Sequence, residues 1–279
     1  MIIPVRDGSA LLARCLEPLL DQAEAVGGEV LVVDDASADD TAATARALGA
    51  DVVEVAAPAG PYHARNLGWR STSRDVVVFT DVRCRAHPGW LTAMTSALAR
   101  PGRAIAGSEV TVTPGAGLAR RASLRLEPMS ATRSVAHPYL PFVPTCALAI
   151  RRATLEAVDG FREVESGGDV DLCWRVQLHL LGEVGIADGA AMDWEPRASV
   201  RGLLSQYHRY GRNSRWLQDE YADLGGPDDQ VAARWRTWGV AGRDLLRRLP
   251  HLRPAEWAPA TLESACRVAA IEGHRSGPR

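Results

Sequence analysis

Apolar and polar positions follow two rhythms along the first hundred residues. Short, almost uniformly apolar runs are "MIIPV", "EVLVVDD", "ADVVEVA" and "DVVVFTD". Each is followed by a stretch with helical spacing: "ALLARCLEPLLDQAEA", "DDTAATARALG", "PYHARNLGWRST" and "PGWLTAMTSALA". Leucines three and four apart mark the first helix despite Pro18, and Gly49 closes the second. A strand that is apolar on both faces has to be covered on both faces. Four such β-then-α units predict an α/β fold, a mostly parallel sheet with helices on both sides.

The middle of the chain is less regular. "RAIAGSEVTVTP" reads as a further strand, and residues 114–141, with their prolines and arginines, as loop or short helix. "FVPTCALAIRR" predicts strand or extended core, then a short helix up to Gly160. "GGDVDLCWRVQLHLLG" has the pattern of an amphipathic helix closed by Gly182, with "EVGIAD" a strand behind it. From Ser199, "SVRGLLSQYHRYGRNSRWLQDEY" predicts a polar, basic helix carrying aromatics. The residues after "LGGPDD" read as Arg-rich helices with a polar tail. The expected organisation is a main domain over residues 1–222 and a C-terminal helical extension over 223–279.

Composition narrows the function classes. Of 279 residues, 46% are hydrophobic and 24% charged, the make-up of an ordinary globular protein. With 32 basic against 34 acidic residues the net charge is −2, so no global field calls for nucleic acid. Every basic residue is an arginine, which removes Schiff-base and P-loop lysine chemistry. Cys15, Cys84, Cys146, Cys173 and Cys266 are scattered and form no CxxC pair. They fit a reducing compartment better than a disulfide framework or a zinc site. No apolar run approaches the ~18–20 residues of a membrane span, and no basic-then-apolar leader opens the chain. A cytoplasmic protein is expected. A peripheral membrane contact or a homo-oligomer through the basic helices stays open.

Ligands of open parallel sheets bind beyond the carboxyl ends of the strands. Asp34 and Asp35 in "VVDDAS", and Asp81 in "VVVFTD", fall at such ends. Each also suits an Asx-turn or a helix cap, but acids after neighbouring strands favour a nucleotide site. In "GPYHARNLG", Arg65 and Asn66 lie one turn inside a helix start, where backbone N–H groups favour phosphate. No GxGxxG follows the first strand, which counts against a dinucleotide-binding dehydrogenase. In "SGGDVDLCWR", Asp169 sits at a helix mouth behind two glycines, a placement that suits a general base. Acids there also stabilise the helix, by ~0.3–1 kcal/mol, without further purpose. Asp171 lies elsewhere on the helix and is not assigned to catalysis.

In order along the chain, "IIPVRD", "VLVVDDASADDT", "GPYHARNLGWR", "VVVFTD", "VPTCALAIRRATLEAVDGF", "GGDVDLCWRV" and "YHRYGRN" resemble family 2 glycosyltransferases with a GT-A fold. The bacterial mycofactocin-type branch is nearest, through "FVPTCALAIRR" and the helix after "GGDVDL". The resemblance covers roughly residues 1–215. It implies an inverting transfer from a nucleotide-diphosphate sugar to an acceptor hydroxyl on a small molecule or peptide. By position, Pro4, Arg6, Asp7, Asp34 and Asp35 would line the donor nucleoside, and Arg65 and Asn66 its ribose or diphosphate. Asp81 matches the first acid of the family's DxD metal motif. Asp169 matches the aspartate of its ED pair, the base that takes the acceptor proton.

The chain departs from that pattern in three places. Arg83 replaces the second acid of the DxD, Gly168 the glutamate of the ED pair, and Asp193–Trp194 stand where relatives often carry a metal-binding histidine. A divalent metal, Mg²⁺ or Mn²⁺, would rest on Asp81, with Asp193 as a second ligand. Alternatively, on an extended segment residues 81, 83 and 85 share one side, so Arg83 and Arg85 would supply the positive charge without a metal. A third reading is a catalytically inactive relative that binds nucleotide sugar in a partner or regulatory role. A nucleotidyltransferase would need two metals and is disfavoured by Arg83.

Overall fold

The computed structural model describes residues 1–227, 243, 245–248 and 253–277; the helical reading of the remaining C-terminal residues lies outside them. The chain forms two compact units: Met1–Thr111 with Met129–Trp194, and Val112–Pro128 with Glu195–Arg279.

The first unit begins with the expected alternation: β1 (Ile2–Val5), α1 (Ser9–Ala25), β2 (Leu31–Asp34), α2 (Thr41–Ala47), β3 (Asp51–Glu54), α3 (Pro61–Arg70) and β4 (Val76–Thr80). Every residue of β1 and β2 is buried, as uniformly apolar strands require. In α1 the inward stripe is Leu12, Cys15, Leu16, Leu19 and Ala23, the three-and-four spacing of the sequence. After β5 (Cys84–Ala86) and α4 (Trp90–Leu98) come β6 (Arg103–Val112), then α5 (Leu118–Leu126), which belongs to the second unit, and, again in the first, α6 (Ala131–Val135), β7 (Ala147–Arg151), α7 (Arg152–Ala157), α8 (Gly168–Leu178) and β8 (Glu183–Trp194).

The strands form one sheet in the order β3-β2-β1-β4-β7-β6-β8-β5. The first four are parallel, with Val5 opposite Asp34 and Asp34 opposite Glu54. From β4 onward the pairing turns antiparallel: Val78 faces Ala149, and Ala106 faces the same Ala149 from the other side. The sheet is therefore mixed. Because β1, β2 and β4 run the same way, the residues after them, Arg6, Asp35 and Asp81, leave the same sheet edge. Phe79, Ile105, Leu148, Ile150 and Leu172 form the core against which this edge is held.

Two elements differ from the sequence reading. β8 continues past Asp188 to Trp194 because its second half pairs with β5, Arg85 opposite Asp193. The segment after β4 is also not extended. Asp81 begins a turn in which Cys84 N–H bonds the Asp81 carbonyl at 2.8 Å, so residues 81, 83 and 85 do not share a side.

Among the described residues the second unit is mainly helical. The helix read from Ser199 is α9 (Val200–Tyr221), with the Ser199 side chain accepting from Gly202 N–H. It packs along α10 (Pro254–Ser276) and touches α5. Compactness thus groups α9 with the C-terminal helix, upstream of the expected boundary at 222. Ala119, Ala122, Leu203, Leu262 and Cys266 form this unit's apolar centre. Beside it the buried Glu263 carboxylate holds Arg125, Arg248 and Arg267 within 3.0 Å.

Where α9 crosses α10, Gly211 and Gly273 bring the two backbones together. A Cβ on Gly211 would lie 1.8 Å from the Ala270 carbonyl oxygen, and one on Gly273 would lie 1.8 Å from that of His208. Backbone cannot swing aside as a side chain can, so Gly211→Ala must force the helices apart. We expect a loss of about 1–3 kcal/mol, measured by urea denaturation, from overpacking at this crossing. Unchanged stability would mean that the helices are not held this closely.

All five cysteines are free and buried. Among the described residues no helix is long and apolar enough to cross a membrane.

Candidate active site

The glycine-rich entry to α8 sets the position of Asp169. Gly167, at φ 80°, turns the chain into the helix, and Asp169 follows in the first turn, half-buried. Its Oδ1 accepts the Tyr62 hydroxyl at 3.2 Å and the Val170 N–H at 3.1 Å, while Oδ2 accepts the Thr145 N–H at 3.3 Å. Three elements far apart in sequence therefore converge on one carboxylate: the start of α3, the loop before β7 and the start of α8.

Tyr62 is buried against Phe161, with ring centroids 5.5 Å apart, and the Arg65 guanidinium carbon lies 5.2 Å from the Tyr62 ring centre. Burial, followed by the Asp169 charge, pushes the Tyr62 hydroxyl far above its ordinary range, so it remains a proton donor. Arg65 is 5% exposed, and its buried Nε has no hydrogen-bond partner. A buried guanidinium N–H without an acceptor is costly.

Asp171, two residues on from Asp169, is turned the other way. It is fully buried and binds Arg175 at 2.8 Å. Asn66, expected near the donor, is also committed elsewhere. Its amide donates to the Phe161 carbonyl at 2.8 Å and accepts the Phe161 N–H at 2.9 Å and the Trp69 indole N–H at 3.1 Å. Asn66 is a core cross-link between α3 and the loop after α7.

The acids at the sheet edge divide between loop and site. Both oxygens of Asp35 are used by the chain, accepting Ala59 N–H at 2.8 Å and Gly60 N–H at 2.9 Å, which fixes the entry to α3 and thereby Tyr62. Asp34 is buried and accepts Ser37 N–H at 2.9 Å. Pro4 is buried inside β1, whereas Arg6 and Asp7 are exposed and 4.0 Å apart. Asp7 accepts Ala38 N–H at 2.8 Å and its own N–H bonds the Ser37 hydroxyl, so the loops after β1 and β2 are knitted together.

Asp81 Oδ1 accepts the Arg83 N–H at 3.0 Å, an Asx-turn that brings the backbone of Arg83 against this carboxylate. Arg85 is exposed, between the buried Cys84 and Ala86, and lies opposite Asp193. Asp193 in turn meets His87 Nε2 at 3.2 Å and the Thr111 hydroxyl at 3.1 Å. Among the described residues no three His, Cys, Asp or Glu side chains gather as cation ligands. Asp81 thus presents its carboxylate at the sheet edge, where it already accepts one backbone N–H.

Sequence reasoning missed Tyr62 and Thr145. Tyr62 stands 107 residues from Asp169, and no local pattern announces a contact made only through the sheet.

A sequence model described as glycosyl transferase family 2 matches residues 1–158. The pre-mycofactocin glycosyltransferase of Mycobacterium tuberculosis is 28% identical over 247 residues, 81% of this chain and 49% of the relative. The chain thus spans about half the length of that protein. Among solved structures, a mannosyltransferase from Pyrobaculum calidifontis in complex with GDP-Man and Mn²⁺ superposes with a TM-score of 0.66 at 19% identity, over 98% of this chain and 86% of that one. Glucosyl-3-phosphoglycerate synthase of Mycobacterium tuberculosis, in complex with Mn²⁺, UDP-glucose and phosphoglyceric acid, gives 0.55 at 20% identity, over 81% and 79%. The mixed sheet described above is therefore the GT-A fold, and the chain belongs to glycosyl transferase family 2.

Proposed function

We propose that the protein is an inverting glycosyltransferase that uses a nucleotide-diphosphate sugar and Asp169 as its base. The observation that carries this is the Asp169 carboxylate: half-exposed, on a rigid helix start, and fixed by donors from three elements. Relatives of the same fold are described with GDP-mannose and UDP-glucose, which supports a donor of that class here. An acceptor hydroxyl, on a small molecule or peptide, gives its proton to Asp169. Its oxygen attacks the anomeric carbon from the face opposite the diphosphate. The bond from carbon to the diphosphate oxygen breaks, its electron pair leaves with the phosphate, and the configuration inverts.

The leaving diphosphate gains charge in this step. Arg65, with its unsatisfied Nε, and Arg83, beside Asp81, would supply the complement without a metal. Arg83→Ala should then weaken nucleoside diphosphate binding by ~10–100-fold, the loss of one charge-assisted contact. Calorimetric titration with UDP, GDP and dTDP, in EDTA and again with Mg²⁺ or Mn²⁺, measures this directly. Binding that needs the metal and ignores Arg83→Ala would reject the arginine assignment. Gly168 in place of the family's glutamate favours a second reading, a nucleotide-sugar binder without turnover; sugar transfer or donor hydrolysis would exclude it.

A further inference from the structure

Gly168 and Tyr62 share one volume. A Cβ on Gly168 would lie 2.9 Å from Tyr62 Cε1 and 3.0 Å from Cδ1 and Cζ, closer than packed carbons allow. The missing side chain at 168 is what admits the Tyr62 ring beside Asp169. The ring itself has little freedom. It is buried, tilted at 32° against Phe161, and mounted one residue after Pro61 on a helix whose approach is held by Asp35.

The two oxygens of Asp169 are consequently unequal. Oδ1 carries the Tyr62 hydroxyl and the Val170 N–H, whereas Oδ2 carries only the longer bond from Thr145 N–H. Oδ1 is the anchored atom and Oδ2 the one with capacity for a proton. From this geometry we infer that Tyr62 is a positioning residue: it pins Asp169 through Oδ1 and turns Oδ2 toward the acceptor hydroxyl. The inference rests on the proposed role of Asp169 as the base. The Tyr62 hydroxyl does not itself exchange a proton with substrate, and burial keeps it protonated.

The test uses the whole chain, with UDP-glucose and GDP-mannose as donors, water or glycerol as acceptor, and nucleoside diphosphate release as the signal. Tyr62→Phe keeps the ring and removes only the hydroxyl. It should lower kcat by ~10–100-fold, the worth of a hydrogen bond to a charged group, leave the donor KM unchanged and lower the thermal midpoint by only a few degrees, about the share of one hydrogen bond. Gly168→Ala should lower kcat by displacing the same ring. The double variant should then be no slower than the slower single variant, because both changes break one contact. Wild-type kcat in Tyr62→Phe would overturn the inference, as would a loss that appears only in KM or in thermal midpoint. Asp169→Asn separates the two levels. If it stays active, the base assignment has failed. If it is inactive while Tyr62→Phe is fully active, only the role of Tyr62 has failed. No release by the wild-type chain with either donor would overturn both.

Discussion

Asp169→Asn should abolish sugar transfer while leaving nucleoside diphosphate binding intact. The amide is nearly isosteric and can still accept from Tyr62 and Val170 on the Oδ1 side, losing only the longer bond from Thr145 N–H, which an amide nitrogen cannot accept. What it lacks is an oxygen able to take the acceptor proton, a contribution of ~10²–10⁴ in rate. The loss should fall on kcat, with UDP or GDP affinity from calorimetry matching that of the wild type. A variant that retained appreciable transfer would remove Asp169 as the base and return the site to the open question of which group accepts the proton. A variant that lost nucleotide binding as well would show Asp169 acting on the donor instead.

The parallel half of the sheet was legible because burial on both faces writes itself into single strands: every residue of β1 and β2 is apolar or at the strand end. The antiparallel half was harder. β5 is only three residues long, and the last half of β8, "GAAMDW", alternates weakly, so neither declares a strand before its partner is known. The turn at Asp81 has the same origin. An Asp after a strand predicts an Asx-turn as well as a ligand, and here the carboxylate does bond the Arg83 N–H, which undoes the shared side assumed for Arg83 and Arg85. Arg83 still stands beside Asp81, but through a turn.

The candidate site shows a similar division between what local sequence encodes and what only the fold provides. A glycine pair before an acid on a helix start pointed to Asp169. Arg65 and Asn66 looked equivalent in sequence, as neighbours one turn into α3. The structure separates them by their partners: Asn66 satisfies Phe161 across the core, whereas Arg65 is buried with its Nε unsatisfied. Asp34 and Asp35 looked equally alike, yet Asp35 spends both oxygens on the entry to α3. None of these distinctions could be read locally, because each depends on which long-range backbone group lies opposite.

Removing the carboxylate of Asp171 should give the largest loss of stability in the first unit. This side chain has no exposed surface and binds Arg175 Nε and Nη2 at 2.8 Å, with Arg162 Nη1 at 3.5 Å. Arg175 also donates to the carbonyls of Val158 at 2.6 Å and Gly160 at 2.7 Å, so the pair ties α8 to the loop that leaves α7. In Asp171→Ala the Arg175 charge stays in place, mostly buried, with carbonyl dipoles in place of a counter-charge. Breaking a buried pair from one side costs about 3–5 kcal/mol, which in a chain of this size lowers the thermal midpoint by on the order of 10 °C. Arg162→Ala is the internal control: Arg162 is 42% exposed and more distant, so solvent already screens its charge and its loss should be small. Because α8 also carries Asp169, Asp171→Ala should lose activity on warming in step with unfolding and regain it on cooling into the folded range, whereas Asp169→Asn should stay inactive at every temperature. Equal stability of Asp171→Ala and the wild type in urea would show that the Arg175 contacts to Val158 and Gly160 hold this corner without the carboxylate.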